Sequence, residues 1–328
     1  MDPGSNMIKV LYFSRENRDS VWEYDYIKNE ILNEIKFKPY FLSLDEVRET
    51  SETFDVFIYS CRDPSIYEWG YMPSYDDVLE CVSKLKPKIV IQLSDEYAHE
   101  DLGIHNEISK YCNLMLRQHW HAHKRKLQFG TPMPKYDNLI HMPLGYLNDF
   151  VMERKNILPI RNRRYAWSFV GKIKDDQFYY YNYDYKKWLP TTDRKQMIEI
   201  FSSNIKRFYF KESGVDKNEL IKVYNNSIFV PCGRGNAALD CFRNYEATIC
   251  GAIPVVVGRN YEEIGNSFNY AKLPPWLYAD TWEHATVKCK YLLNNPDQLQ
   301  KMQNEILEWW DEVIGDIQNL VLNNLEII

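Results

Sequence analysis

Apolar positions along this chain gather into short, nearly continuous runs, each followed by a stretch with helical spacing. The run from Met7 to Ser14 (MIKVLYFS) reads as a strand, and the pattern from Tyr24 to Ile35 as the helix after it. Phe54 to Tyr59, Lys88 to Leu93, Leu114 to Leu116 and Leu139 to Met142 are further strands, apolar enough to lie in a parallel sheet covered on both faces. The segment Phe150 to Arg164, with its basic cluster and Pro159, breaks the rhythm, and it resumes in a second half. There the strands are Ala166 to Val170, Arg207 to Phe210, Ser227 to Val230 and Ile253 to Val257, and the helices Asp193 to Ser203, Lys217 to Asn225 and Leu239 to Cys250. Alternation of this kind predicts two doubly wound α/β domains.

After Pro296, Leu299, Met302, Ile306, Trp309, Trp310, Val313, Ile317 and Val321 recur at helical spacing, with a bend expected at Gly315. The aromatic run Phe178 to Trp188 (FYYYNYDYKKW) has no clean period and reads as an ordered loop. The expected division is 7–155, 156–300 and a terminal helix 301–328 packing back on the body.

Composition narrows the function classes. A chain of 328 residues exceeds what one core usually supports, which agrees with two domains. Its net charge of -6 opposes a general affinity for nucleic acid, which needs clustered cations. No run approaches the length of a membrane span. Seven irregularly spaced cysteines are expected to be reduced, which suggests a cytoplasmic protein unless a membrane anchor has been removed from it.

The densest chemistry lies in IFVPCGRGNAALDCFRNYEATICGAIPVVVG, Ile228 to Gly258. A strand turns through Pro231, Gly233 and Gly235 into a helix and returns to a strand after Gly251 and Pro254. Such a turn lets an anion approach backbone N–H groups and the positive end of a helix. Arg234 and Arg243 can add bidentate contacts to phosphate oxygens. Glu246, three residues after Arg243, shares its helical face and can accept from ribose hydroxyls, or it can simply form an intrahelical ion pair.

The run GRGNAALDCFRNYEATICGAIPVV resembles the carboxy-terminal signature of exostosin-like glycosyltransferases, in which an Arg, an Arg-x-x-Glu and a Gly-x-Ile-Pro-Val step recur. In form it is most similar to the branch that includes the ribitol xylosyltransferase. LSDE at Leu93 to Glu96, PLGY at Pro143 to Tyr146, WSFVGK at Trp167 to Lys172, and Arg194 at a helix start also fit that branch. The resemblance implies a GT-B fold, two Rossmann-like domains facing across a cleft, with the nucleotide held by the second and the acceptor by the first. It implies an inverting transfer from a UDP-sugar, with UDP-xylose the first expectation, to a hydroxyl of a glycan or glycosylated acceptor. By position it places Gly171, Lys172, Arg194, Arg234, Arg243 and Glu246 around the donor, with Arg194 and Arg243 on the diphosphate and Glu246 on the ribose.

The sequence has no Asp-x-Asp pair to hold a metal against the diphosphate, so no metal cofactor is expected. An inverting transfer needs a base for the acceptor hydroxyl. Asp95, directly after the strand KIVIQLS, is the candidate, because sites form at the carboxyl ends of parallel strands. The alternative for Asp95 is a plain cap or turn carboxylate, and Asp63 and Glu100 are reserves. His119, His121 and His123 alternate as metal ligands on a strand would, but no Cys or acidic partner lies nearby. Two other functions stay open: a sugar-nucleotide or glycan binding protein without turnover, and a phosphorylase of the same architecture, which would normally need a longer chain.

Overall fold

The computed structural model describes residues 7–61, 74–94, 104–118, 136–173, 179–182, 187–190, 193–212, 214–235, 239–258, 264–265, 268, 270 and 272–326. The described residues form two compact units. The first takes those up to 118, those from 136 to 143 and the chain end from Ile314; the second takes Leu144 to Val313.

In the first unit six strands, β1 (Ile8–Phe13), β2 (Phe37–Leu42), β3 (Val56–Cys61), β4 (Ile89–Ser94), β5 (Leu114–Arg117) and β6 (Leu139–His141), make one parallel sheet in the order β2-β1-β3-β4-β5-β6. The chain runs from β1 outward to β2 and then to the other side of β1 for β3, so the topological switch lies between β1 and β3. Edge strand β2 contains Pro39, whose missing N–H is tolerated only where one side of a strand is unpaired. That proline hides the strand from a reading of periodicity.

Between β1 and β2 the expected helix Tyr24 to Ile35 is shorter. One α turn, α1 (Tyr24–Tyr26), widens into a π segment, Ile27–Ile31, closed by the Leu32 N–H on the Ile27 carbonyl at 2.8 Å. Helices α2 (Leu44–Glu49) and α3 (Tyr75–Leu85) each begin with a capping box, Ser43 with Glu46 and Ser74 with Asp77. Val78, Cys81, Val82 and Leu85 of α3 pack on Phe57, Tyr59 and Val90 in the core of this unit.

The second unit holds a five-stranded parallel sheet, β7 (Tyr165–Val170), β10 (Phe208–Lys211), β11 (Ser227–Pro231), β12 (Ile253–Val257) and β13 (Leu277–Ala279), ordered β10-β7-β11-β12-β13. Here the switch lies between β7 and β11. The segment Phe178 to Trp188, expected as a loop, instead supplies most of an antiparallel pair, β8 (Tyr179–Asn182) with β9 (Lys187–Pro190). Its many aromatic residues suit a strand, and the cross-strand register fixes what their unalternating order conceals.

Helices α4 (Asp193–Asn204) and α5 (Lys217–Asn225) stand where the sequence puts them. Helix α6 (Phe242–Ile249) starts later than expected, because Leu239 to Cys241 stay outside it and Cys241 is extended at φ -148. Its end is a Schellman turn: Ala252 N–H bonds Ala247 O at 2.9 Å and Gly251 N–H bonds Thr248 O at 2.8 Å. Gly251 has φ +65, and a Cβ there would lie 2.8 Å from both Ile157 and Gln303. This glycine of the signature therefore serves packing.

Helices α7 (Trp282–Leu293) and α8 (Pro296–Leu325) close the chain. The α8 helix passes Gly315 without interruption, so the residue does not break it. Trp309 and Trp310 sit against Trp276 and Tyr245 with ring centres 5.7 and 5.9 Å apart. Among the described residues, Cys81, Cys112, Cys232, Cys241, Cys250 and Cys289 form no disulfide.

Arg163, from the basic cluster ahead of β7, is 3% exposed and donates to four carbonyls: Leu158 at 3.0 Å, Tyr224 at 3.1 Å, Ser227 at 2.7 Å and Cys250 at 2.8 Å. It ties together the ends of α5 and α6 and the start of β11. Burial pushes its pKa down to about 10, which leaves it charged at neutral pH. Replacing it by methionine strips these carbonyls of their donor, and urea denaturation should show a loss on the order of 3 kcal/mol.

Candidate functional site

Parallel strands bring their carboxyl ends to one edge, and the gap between oppositely wound halves opens at the switch point. In the second unit that point is flanked by the residues following β7 (Gly171 and Lys172) and β11 (Cys232 to Gly235). The sequence candidates meet there.

Arg243, in the first turn of α6, reaches back across the end of β7. Its Nη2 donates to the Val170 carbonyl at 3.3 Å, and its guanidinium lies 4.5 Å from the centre of the Phe169 ring. The space it fills exists because residue 171 has no side chain: a Cβ at Gly171, which has φ +149, would lie 2.7 Å from Nη2. Arg243 Nε is buried and has no partner among the described residues. The α6 N-terminus beside it has no side-chain cap and no acidic residue in its first turn.

The loop after β11 is held by the first two residues of α4. Asp193 Oδ2 accepts the Arg234 N–H at 2.7 Å, while Arg194 Nε donates to the Arg234 carbonyl at 2.9 Å. The two peptide units flanking Arg234 are thus each held, one by its N–H and the next by its carbonyl. Arg194 also donates to the Lys172 carbonyl at 3.2 Å, joining the loops after β7 and β11, and Asp193 Oδ1 accepts Trp282 Nε1 at 2.7 Å. Gly233 lies so near that an added Cβ would stand 3.0 Å from Arg194 Cγ and 3.1 Å from Asp193 Oδ2. Part of this loop's backbone is spent on its own fold, since Cys232 N–H bonds Val255 O at 2.8 Å and Arg234 N–H bonds Asp193.

Glu246, one turn beyond Arg243, is 5% exposed. Burial raises its pKa, and Lys217, Arg243 and a hydrogen bond from the Leu147 backbone oppose the rise. Leu147 directly follows the PLGY segment, which gives that segment a physical link to the signature helix. Asp240, outside the helix, is fully buried; its Oδ1 accepts the Tyr245 hydroxyl at 2.6 Å, and its Oδ2 has no partner among the described residues. Burial pushes its pKa up to about 7.

The structure therefore brings Gly171, Lys172, Arg194, Arg234 and Arg243 into one linked assembly, with Glu246 on the next turn. Sequence reasoning missed Asp193, Asp240 and Trp282. Asp193 was legible only as the opening residue of a helix, and its carboxylate acts through a loop forty residues on. Four cations, Lys172, Arg194, Arg234 and Arg243, outnumber the carboxylates Asp193, Asp240 and Glu246, so the site carries a positive field. Asp63, Asp95, Glu100, His119, His121 and His123 lie outside the described residues.

No family model and no curated protein matches the chain in sequence. Three crystal structures of the Anabaena protein HepE match its fold. The complex with UDP has 9% identity and a TM-score of 0.56, the complex with UDP and glucose 11% and 0.53, and the complex with UDP-glucose 9% and 0.51. Each match covers 98% of this chain and 100% of HepE. The likeness is one of fold: two parallel sheets with flanking helices and a long terminal helix, the GT-B architecture.

Two outcomes follow for the site. Gly171→Ala should displace Arg243 from the Val170 carbonyl and the Phe169 ring and lower stability in urea denaturation by about 1 to 3 kcal/mol, with an unchanged circular dichroism spectrum. Asp240 holds its proton to higher pH in the folded chain than in the unfolded one. Its contribution to stability is therefore complete below its ordinary pKa and is lost as pH rises to about 7. Denaturation midpoints should show Asp240→Asn stabilising the protein more at pH 8 than at pH 5.

Proposed function

We propose that this protein is a glycosyltransferase that takes its sugar from a UDP-sugar, with the diphosphate at the β7–β11 switch point of the second unit. The observation that carries the reading is the Arg243 guanidinium. It lies across the end of β7 in space left by Gly171, with a buried, unpartnered Nε beside an uncapped helix N-terminus. Such a group suits the oxygens of a diphosphate. That HepE, of the same architecture, was crystallised with UDP and with UDP-glucose supports the uridine nucleotide.

In this reading Arg243 contacts the diphosphate, Arg234 and Lys172 add positive charge around it, and Glu246 meets the ribose. Arg194 acts chiefly by positioning, since it grips the Arg234 peptide and the Lys172 carbonyl. Charge on the departing UDP is then balanced by arginines and the helix end, without a metal ion. The exostosin-like signature, Arg234, Arg243-x-x-Glu246 and Gly251-x-Ile253-Pro254, supports an inverting transfer with UDP-xylose as the first donor to try. Asp95, which follows β4 directly in sequence, is the proposed base for a hydroxyl of a glycan acceptor.

The test joins calorimetry with UDP to an assay of UDP release from UDP-xylose, UDP-glucose, UDP-galactose and UDP-glucuronate, with and without a chelator. UDP should bind, one donor should turn over in the presence of chelator, and Asp95→Asn should stop turnover while UDP still binds. An absence of heat with UDP would end the donor assignment. Binding without turnover of any donor would leave a sugar-nucleotide binding protein, and normal turnover of Asp95→Asn would remove that residue from the mechanism.

A further inference from the structure

Parallel strands that end on one edge all start on the opposite one, and in the second unit that starting edge gathers cations. Three stretches that reach it, 154–173, 200–211 and 284–296, contain no carboxylate. They meet in space. The Ala166 N–H at the start of β7 bonds the Arg207 carbonyl at 2.7 Å, which sets Arg207 beside Arg164. Lys206 lies just past the end of α4, and Lys290, in the last turn of α7, donates to Oδ1 of Asn204, the final residue of α4, at 2.9 Å.

Arg161, Arg164, Lys206, Arg207 and Lys290 are all exposed. Among the described residues none of them forms an ion pair, whereas the exposed Arg48 and Arg154 pair with Glu80 and Asp311. Helix ends favour nearby cations, which accounts for Lys206 and Lys290. It does not account for Arg207, which holds φ +67 in the left-handed region, where glycine or asparagine is the easier choice.

Apolar groups stand open beside these charges. Val287 and Tyr291, one turn apart on α7, flank Lys290 and are each 63% exposed. Phe208, directly after Arg207, stacks one face on Trp167 at 4.8 Å and is itself 39% exposed. They share a side of the sheet, since Phe201 of α4 touches both Trp167 and Trp282 of α7, at 5.4 and 6.0 Å.

Cations interleaved with an aliphatic and an aromatic side chain match the boundary of an anionic bilayer. Lipid phosphates meet the charge, and the ring and methyl groups enter among the headgroups. A nucleic acid would meet the charges and leave Val287 in water. The net charge of -6 is no obstacle at this range, because salt screens distant carboxylates while groups at the surface act directly.

We propose that the starting edge of the second sheet docks on an anionic lipid surface, its row of cations against the phosphates and Val287 and Tyr291 among the headgroups. The carboxyl edge of the same sheet, with Arg243, then faces away from the lipid. The inference goes beyond the transferase reading and does not depend on it.

Co-sedimentation of the intact chain with vesicles of phosphatidylcholine, alone or mixed with phosphatidylglycerol, tests it at low and at high salt. The mixed vesicles should carry the protein down, less so at high salt, and the neutral ones should not. One Lys or Arg at an anionic surface strengthens association about fivefold, so Lys206→Glu with Lys290→Glu should weaken it by about 25-fold or more. Arg161→Glu with Arg164→Glu repeats the test at the other end of the row. Val287→Ser with Tyr291→Ser should weaken binding without any change of charge. Lys28→Glu with Lys36→Glu, exposed cations of the first unit, should leave it near that of the unaltered chain. Melting temperatures should stay unchanged throughout, as should calorimetry with UDP. Failure to sediment with mixed vesicles, equal binding to neutral ones, binding that survives the Lys206 and Lys290 or the Val287 and Tyr291 changes, or an equal loss in the Lys28 and Lys36 variant overturns the proposal. Retention of a single-stranded RNA by the same cations, with no binding to vesicles, would assign the row to nucleic acid and overturns it too. A chain that binds UDP but no vesicle loses this inference alone, and one that binds vesicles but not UDP keeps it while the nucleotide reading fails.

Discussion

The second unit depends on a missing side chain. Because residue 171 is glycine, the Arg243 guanidinium can cross the end of β7, reach the Val170 carbonyl and lie over Phe169. A charge placed there is expensive unless it is anchored, and the carbonyl and the aromatic face share that task with Tyr224 and the Glu246 carboxylate nearby. Nε has no partner among the described residues. That is the arrangement on which the proposed diphosphate site rests.

Around that arginine the structure spends other charged groups on rigidity. Asp193 and Arg194 hold one residue of the β11 loop, Arg234, by its N–H and its carbonyl, and Trp282 fixes Asp193 in turn. Arg163 does comparable work at the opposite ends of the helices by gathering four carbonyls. A preorganised anion site needs this, since donors that must reorganise on binding forfeit much of what they contribute.

Both units place a polar, incompletely satisfied cluster at a topological switch point. The physical cause is shared. Where consecutive crossovers leave a strand in opposite directions, no connection covers the gap at the carboxyl edge, and side chains from two strands converge on open space. Between β7 and β11 the convergent groups are mostly cationic. Between β1 and β3 they include the buried hydroxyls of Tyr12 and Ser60, which have no partner among the described residues.

The sequence alone determined the alternation of strands and helices, because apolar periodicity is a local property that burial of one face or both enforces. Strands β1, β3, β4, β5, β6, β7, β10, β11 and β12 and helices α4, α5 and α8 were legible in this way, as was the cluster of Arg234, Arg243 and Glu246. Only the tertiary structure decided the rest. Strand β2 is masked by Pro39 and exists because an edge tolerates it, and β8 and β9 exist through each other's register. The parts of Asp193, Asp240, Tyr12 and Ser60 depend on partners present or lacking across a sheet or a loop. Periodicity tells a side chain which way to face, whereas the packing of distant segments decides what it meets there.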